Sequence, residues 1–150
     1  MPLSLADHLA LIEAEYAAAL AHPLSARQAM LVAVLLDKYP DRLFDARRNT
    51  APERVLHAED VLAFRTRLGA LLPALGLVFA LCALAPGGPR LVTKAVAVPL
   101  PDYPALPLAD FMVSLYNQNT VQRVLLVGAG ADRLAHAVLG DALAGLRQFG

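Results

Sequence analysis

Charged side chains are scarce in this sequence, and no stretch of it is strongly basic. Lys, Arg, Asp and Glu make up 17% of the 150 residues, against about 25% in an ordinary globular chain. The 13 basic and 13 acidic residues balance, and the pair Arg47-Arg48 is the densest basic cluster, which argues against binding to nucleic acid. Acids outnumber bases over residues 1–60 and bases outnumber acids over residues 61–150, which favours attraction between the two halves or between subunits.

Cysteine is almost absent, since Cys82 stands alone inside an apolar run. A lone cysteine excludes a disulfide scaffold and predicts a buried, unreactive thiol in a reducing compartment. The first residues lack the basic segment of a signal peptide. We therefore expect a cytoplasmic protein.

Histidine is also rare, and the four histidines are not spaced as metal ligands. No two of them stand four residues apart on one helix, and none is near Cys82 in the sequence. Most acidic residues fall near predicted helix starts or on helix exteriors. We therefore expect no metal, no cofactor and no catalytic residues.

Hydrophobic residues are abundant, at 57% of the chain, against roughly 45–50% in ordinary domains. Their longest run, residues 68–85, has no charge within it. Pro73 and Gly76 divide this run, which favours a buried core helix in a soluble domain; a membrane span over the same residues is the alternative. A small monomer has difficulty burying so much apolar surface, so the composition predicts a homodimer or a protein partner.

The order of the patterns predicts a single α+β domain over residues 1–150, with a helical half (1–85) and a mixed half (90–150). Ser4 and Ser25 are typical helix caps. The predicted helices of the first half are 5–21, 26–38, 40–47, 59–71 and 74–84. Pro40 makes 26–38 and 40–47 either separate helices or two segments joined at a kink. The predicted β-α-β-α unit of the second half has strands 91–98 and 120–127 and helices 109–117 and 132–148.

Two features of the second half leave alternatives open. If the two strands are neighbours joined through the 109–117 helix, they should be parallel with a right-handed crossover. Residues 109–117 are alternatively a strand that forms a hairpin through Asn117-Gln118-Asn119.

A glycine-containing turn at residues 124–130 resembles the opening of a dinucleotide-binding fold. The third glycine of that pattern is replaced by Arg133, and too little chain follows for the second strand and its acid. The preferred interpretation is a tight strand-to-helix turn capped by Asp132. An anion held at the turn by Arg133 is the alternative.

The most polar uncharged stretch, residues 116–120, is the first place to expect a recognition site, although asparagines are also common in turns. The candidate ligand- or partner-binding residues are Asp110, Tyr116, Asn117, Asn119, Arg123 and Arg133.

The leading functional expectation is a non-enzymatic interaction or structural protein of the bacterial cytoplasm, acting as a homodimer or with a protein partner. The heavy use of Ala, Leu, Arg and Pro suggests a GC-rich bacterial genome. The alternatives are a small-ligand-binding protein or small enzyme with a pocket between the helical half and the sheet, and a membrane-anchored protein with its span at 68–85.

Overall fold

The computed structural model describes residues 3–97 and 120–149 of the chain, and these residues form an α+β fold, as predicted. The helices are α1 (Leu5–Ala21), α2 (Ala26–Arg47), α3 (Val61–Leu71), α4 (Pro73–Cys82) and α5 (Ala135–Arg147). The strands are β1 (Arg90–Ala97), β2 (Thr120–Val127) and β3 (Arg133–Leu134). A 3₁₀ turn (Pro52–Val55) lies between α2 and α3.

α1 and α2 form an antiparallel hairpin whose two starts are capped as predicted. Ser4 Oγ accepts a hydrogen bond of 3.0 Å from the backbone N–H of Asp7. Ser25 Oγ accepts one of the same length from the N–H of Gln28. Each serine satisfies a backbone donor that the first helical turn leaves without a partner.

Pro40 lies inside α2, which continues through it to Arg47. The predicted division into separate helices 26–38 and 40–47 is therefore wrong. Proline lacks an N–H, so the carbonyl of Leu36, four residues earlier, loses its helical donor. Burial on both sides of the proline outweighs this loss, because Leu36 and Leu43 are both fully buried in the core.

The long apolar run is divided between α3 and α4, which meet at Leu72 and Pro73. Leu75, Val78 and Leu81 of α4 are buried in the core, as the core-helix interpretation predicts. Within the described residues, no helix has both the length and the apolar character that crossing a membrane requires.

The helices α3 and α4 approach closely where two glycines face each other. A Cβ at Gly76 would lie 3.1 Å from the carbonyl oxygen of Gly69. Since glycine has no side chain, the two backbones come into direct contact on either side of the turn at Pro73.

α3 begins two residues later than predicted, because Asp60 is its cap. The Asp60 carboxylate accepts a hydrogen bond of 2.8 Å from the backbone N–H of Ala63.

The sheet has the order β1-β2-β3 and is antiparallel throughout. Arg90 pairs with Val127 and Ala97 pairs with Thr120, so the expected parallel arrangement is wrong. The last residue of β1 and the first residue of β2 lie at the same end of the strand pair, so the connection between them needs no crossover. The predicted helix at 109–117 and its hairpin alternative lie outside the described residues.

The turn after β2 leads into β3 and only then into α5, which starts at Ala135 rather than at residue 132. The prediction that Asp132 caps this helix is wrong, because the N-cap residue of α5 is Leu134. The Asp132 carboxylate instead accepts a bond of 3.1 Å from Lys94 on β1. Gly128 has a φ of +89° and would place a Cβ 3.0 Å from the carbonyl oxygen of Gly88, so glycine is required there.

Candidate interaction surface

The α1–α2 hairpin buries one side and leaves the other exposed. The buried side includes Ile12 of α1 and Val32 of α2, both with no exposed area. On the other side, Leu11 is 38% exposed, Leu31 is 42% exposed and Val34 is 48% exposed. Large aliphatic side chains therefore lie on the outside of two adjacent helices.

We call this side the outer hairpin face. Residues three and four apart lie on one side of a helix, and two such rows make up the face. Its members are Asp7, Leu11 and Ala14 on α1 and Arg27, Leu31, Val34 and Lys38 on α2, all of them exposed.

Two contacts between the helices fix how their residues are aligned. His8 Nε2 donates to the carbonyl oxygen of Leu35 at 3.0 Å. Gln28 Nε2 donates to the Glu15 carboxylate at 2.7 Å. Residue 8 therefore lies beside residue 35 and residue 15 beside residue 28, which places Leu11 beside position 32, next to Leu31.

An open groove extends the apolar area on the α2 side of the face. Its volume is about 730 Å³. Its lining includes Met30, Leu31 and Val34 together with the more polar Ser25, Arg27 and Gln28. The exposed leucine and valine are thus part of a continuous concave surface rather than isolated residues.

Charged residues border the apolar area at both ends. Asp7 stands at the α1 end, and Arg27 and Lys38 flank Leu31 and Val34 on α2. Among the described residues, none of these three side chains takes part in an ion pair. The border is therefore available to charges on another molecule.

His8 lies beneath the face, between the two helices, and is only 3% exposed. Arg42 Nη1 donates to its Nδ1 at 3.1 Å, while its Nε2 donates to Leu35. Burial, opposed by the Leu35 hydrogen bond and aided by the Arg42 charge, holds the pKa of His8 below its usual value. A neutral ring with its proton on Nε2 satisfies both partners, so His8 joins the helices structurally.

His136 has a similar role on the opposite side of α1. Its Nε2 donates to the carbonyl oxygen of Ala19 at 2.9 Å, and the Tyr16 hydroxyl donates to the carbonyl oxygen of His136 at 3.1 Å. Burial lowers the pKa of His136, although the bond to Ala19 opposes this shift. These contacts hold α5 against α1.

The two predicted site residues that the structure describes lie at different cavities. Arg123, on β2, lines a cavity of about 200 Å³ with Leu20 and His136, between the helical half and the sheet. Its guanidinium donates to the carbonyl oxygen of Gln122 at 2.9 Å. Arg133 is exposed and lines a second cavity, of about 470 Å³, with Asp141. The other candidates, Asp110, Tyr116, Asn117 and Asn119, lie outside the described residues.

No group of three or more histidine, cysteine and acidic residues suited to a metal occurs in residues 3–97 and 120–149. Cys82 is half-buried and unpaired. Burial, with a smaller effect of the Asp37 charge, raises the pKa of this thiol to about 12, although Arg65 acts in the opposite direction. A thiol of that pKa is a weak nucleophile near neutral pH.

Sequence reasoning missed the outer hairpin face because residues 30–36 are apolar almost all round the helix, which predicted a fully central α2. One signal was present. Arg27 and Lys38 fall on the same helical row as Leu31 and Val34, so a solvent-facing row could have been recognised from its charged ends.

Comparison of the chain with known protein families, with curated proteins and with solved structures gave no match.

Proposed function

We propose that this protein is a non-enzymatic interaction protein of the bacterial cytoplasm that binds another protein chain through the outer hairpin face. The observation that carries the proposal is the exposure of Leu11, Leu31 and Val34, between 38% and 48%, on adjoining helical rows. Single exposed aliphatic residues are ordinary, but a contiguous group bordered by charges is typical of a protein-binding surface.

The roles of the buried titratable groups support an interaction protein over an enzyme. His8 and His136 each donate to a backbone carbonyl of another helix. Their neutral rings stabilise helix packing, since His8 joins α1 to α2 and His136 joins α5 to α1. The half-buried thiol of Cys82 supports a reducing compartment such as the cytoplasm.

Site-specific photo-crosslinking tests this function. A photoreactive amino acid replaces Leu31 in one variant and Leu62 in a control, because Leu62 is a leucine of α3 with 71% exposure that lies away from the face. In cells that express the chain, position 31 should give a discrete covalent adduct and position 62 should not.

A second substitution establishes that the adduct reports the face itself. Val34→Glu, added to the position-31 variant, should abolish the adduct, whereas Leu62→Glu should leave it intact. Equal adduct yields from positions 31 and 62, or an adduct that is indifferent to Val34→Glu, would contradict the proposal.

The alternative of a small-ligand-binding protein is best tested at the cavity beside Arg123. Its volume of about 200 Å³ is below the roughly 300–1,000 Å³ of usual ligand pockets, so a ligand there would be small, and the guanidinium of Arg123 would favour an anion. Acetate and inorganic phosphate are suitable probes in an NMR titration. Our proposal expects no saturable shift of signals around Arg123; a saturable shift that Arg123→Gln removes would favour the alternative.

A further inference from the structure

We infer that the outer hairpin face is occupied by a second copy of this chain, related by a two-fold axis parallel to α1 and α2. Each α1 then lies over α2 of the other copy, and the two hairpins form a four-helix bundle. This inference rests on the proposed function and names its partner. It follows from the alignment of the helices, the position of the aliphatic side chains and the charges at the border.

Two-fold symmetry determines how α1 of one copy is aligned with α2 of the other. A rotation about an axis parallel to the helices leaves the height of every residue along that axis unchanged. The heights fixed within one hairpin by His8 beside Leu35 and by Glu15 beside Gln28 therefore apply between the copies as well. All neighbouring helices run antiparallel, as in common four-helix bundles.

Aliphatic side chains meet at the centre of this arrangement. Leu11 of one copy lies at the height of position 32 in the other, between the exposed Leu31 and Val34. In such bundles a leucine usually enters a hole formed by four residues of the facing helix, and Leu31 and Val34 would be two of the four. One turn away, Ala14 lies at the height of position 29, where its small side chain allows the helices to approach.

Opposite charges meet at the end of the same interface. Asp7 lies at the height of position 36, which is two residues, or about 3 Å, from Lys38 of the other copy. Both side chains are exposed, and in the described part of the chain neither has an ion-pair partner. The two-fold axis forms this Asp7–Lys38 pair twice.

The size of the face indicates a weak dimer. α1 has 17 residues, which at about 1.5 Å per residue gives a length of about 25 Å, and two helices side by side are about 20 Å wide. The footprint is about 500 Å² per copy, or about 1,000 Å² in total, at the lower end for specific interfaces. We expect a dissociation constant in the micromolar range.

A charge-reversal experiment on the full chain tests the arrangement. Sedimentation equilibrium at protein concentrations from about 5 μM to 1 mM measures the dimer dissociation constant. The samples are the wild type, Asp7→Lys, Lys38→Asp and an equimolar mixture of the two variants. Each variant alone places like charges together twice and should dimerise about 10-fold more weakly or worse. In the mixture each pair becomes Lys opposite Asp, so a heterodimer should form with an affinity near that of the wild type.

Two further reversals control for net charge. Glu53→Lys and Arg54→Asp change exposed residues of the 3₁₀ turn, which lie off the face, and each should dimerise like the wild type. Circular dichroism checks that every variant is folded. Each variant keeps its own substitution in the mixture, so destabilisation of α1 or α2 cannot explain association that the mixture restores.

The outcomes separate this inference from the proposed function. A wild type that is monomeric at 1 mM overturns the second copy as occupant, while an adduct with a different protein at position 31 would still support the proposed function. A dimer that Leu31→Glu weakens but that the charge reversals leave unchanged overturns the two-fold arrangement. A mixture no stronger than the separate variants does the same.

Discussion

Arg65 donates hydrogen bonds to both the carboxylate and the backbone carbonyl of Asp37, at 2.5 and 2.7 Å. It also reaches the Asp41 carboxylate at 3.2 Å and lies 4.0 Å from the centre of the Phe79 ring. One guanidinium of α3 thereby contacts both α2 and α4. The Asp37 carbonyl precedes Pro40 by three residues, so Arg65 connects α2 to α3 close to the proline.

Substitution of Arg65 should destabilise the protein strongly. Arg65→Ala leaves the half-buried Asp37 carboxylate without its cation, and we expect the free energy of unfolding to fall by about 2–3 kcal/mol. Arg65→Lys keeps the charge but loses the planar group that bonds two acceptors and stacks on Phe79, so about 1–2 kcal/mol should be lost. Urea denaturation followed by circular dichroism measures both.

Arg67 provides the control for this prediction, two residues along the same helix. It pairs with Glu59 at 3.0 Å, but both side chains are exposed. Arg67→Ala should change the free energy of unfolding by less than about 1 kcal/mol. Equal losses for Arg65→Ala and Arg67→Ala would show that the Arg65 contacts do not stabilise the junction of α2, α3 and α4.

These contacts also show where sequence reasoning ends. Local signals such as the Ser4 cap located α1 correctly, because capping and apolar spacing act within a few residues. The break predicted at Pro40 failed because Leu36 and Leu43, on either side of the proline, are buried in the core, and this burial depends on elements distant in the sequence. The direction of β2 depended on how the chain between the strands returns, which a pattern of apolar residues does not specify.

The candidate site was harder to predict than the fold. Apolar residues surround α2 over residues 30–36, so these residues by themselves do not say which side packs against the core. The sequence signal lies outside them, in Arg27 and Lys38. The positions of α3 and α4 decide that Leu36 is buried and that Leu31 is exposed. An interaction surface of this kind depends on tertiary packing, whereas a catalytic motif can be recognised from residue types and spacing.

The stability of the fold should decrease as the pH falls from about 7 to about 5.5. The pKa values of His8 and His136 are lowered from 6.5 by burial, so below that pH the unfolded chain binds more protons than the folded one. The stabilisation that the two neutral histidines give the fold is fully present above pH 6.5. It is lost as the pH falls towards their lowered pKa values. Urea midpoints measured across this range should therefore decline.

Replacement of the histidines identifies the source of this pH dependence. His8→Gln should reduce the slope of stability against pH, and adding His136→Gln should reduce it further. His22→Gln removes an exposed histidine and should leave the slope as in the wild type. A wild-type slope in the double variant would assign the pH dependence to other groups.

Cys82 should react with alkylating reagents far more slowly in the folded protein than in the unfolded chain. Burial raises the pKa of its thiol from 9.0 to about 12, and each unit lowers the thiolate fraction at pH 8 about 10-fold. Iodoacetamide labelling followed by mass spectrometry should be at least about 100-fold slower in buffer than in guanidinium chloride.

Arg65→Ala opens the surroundings of the Cys82 thiol and should speed its alkylation, even though Arg65 itself favours the thiolate. Fast labelling of the native wild type would instead reveal an accessible, activated cysteine, and a reactive role for Cys82 would then replace its packing role.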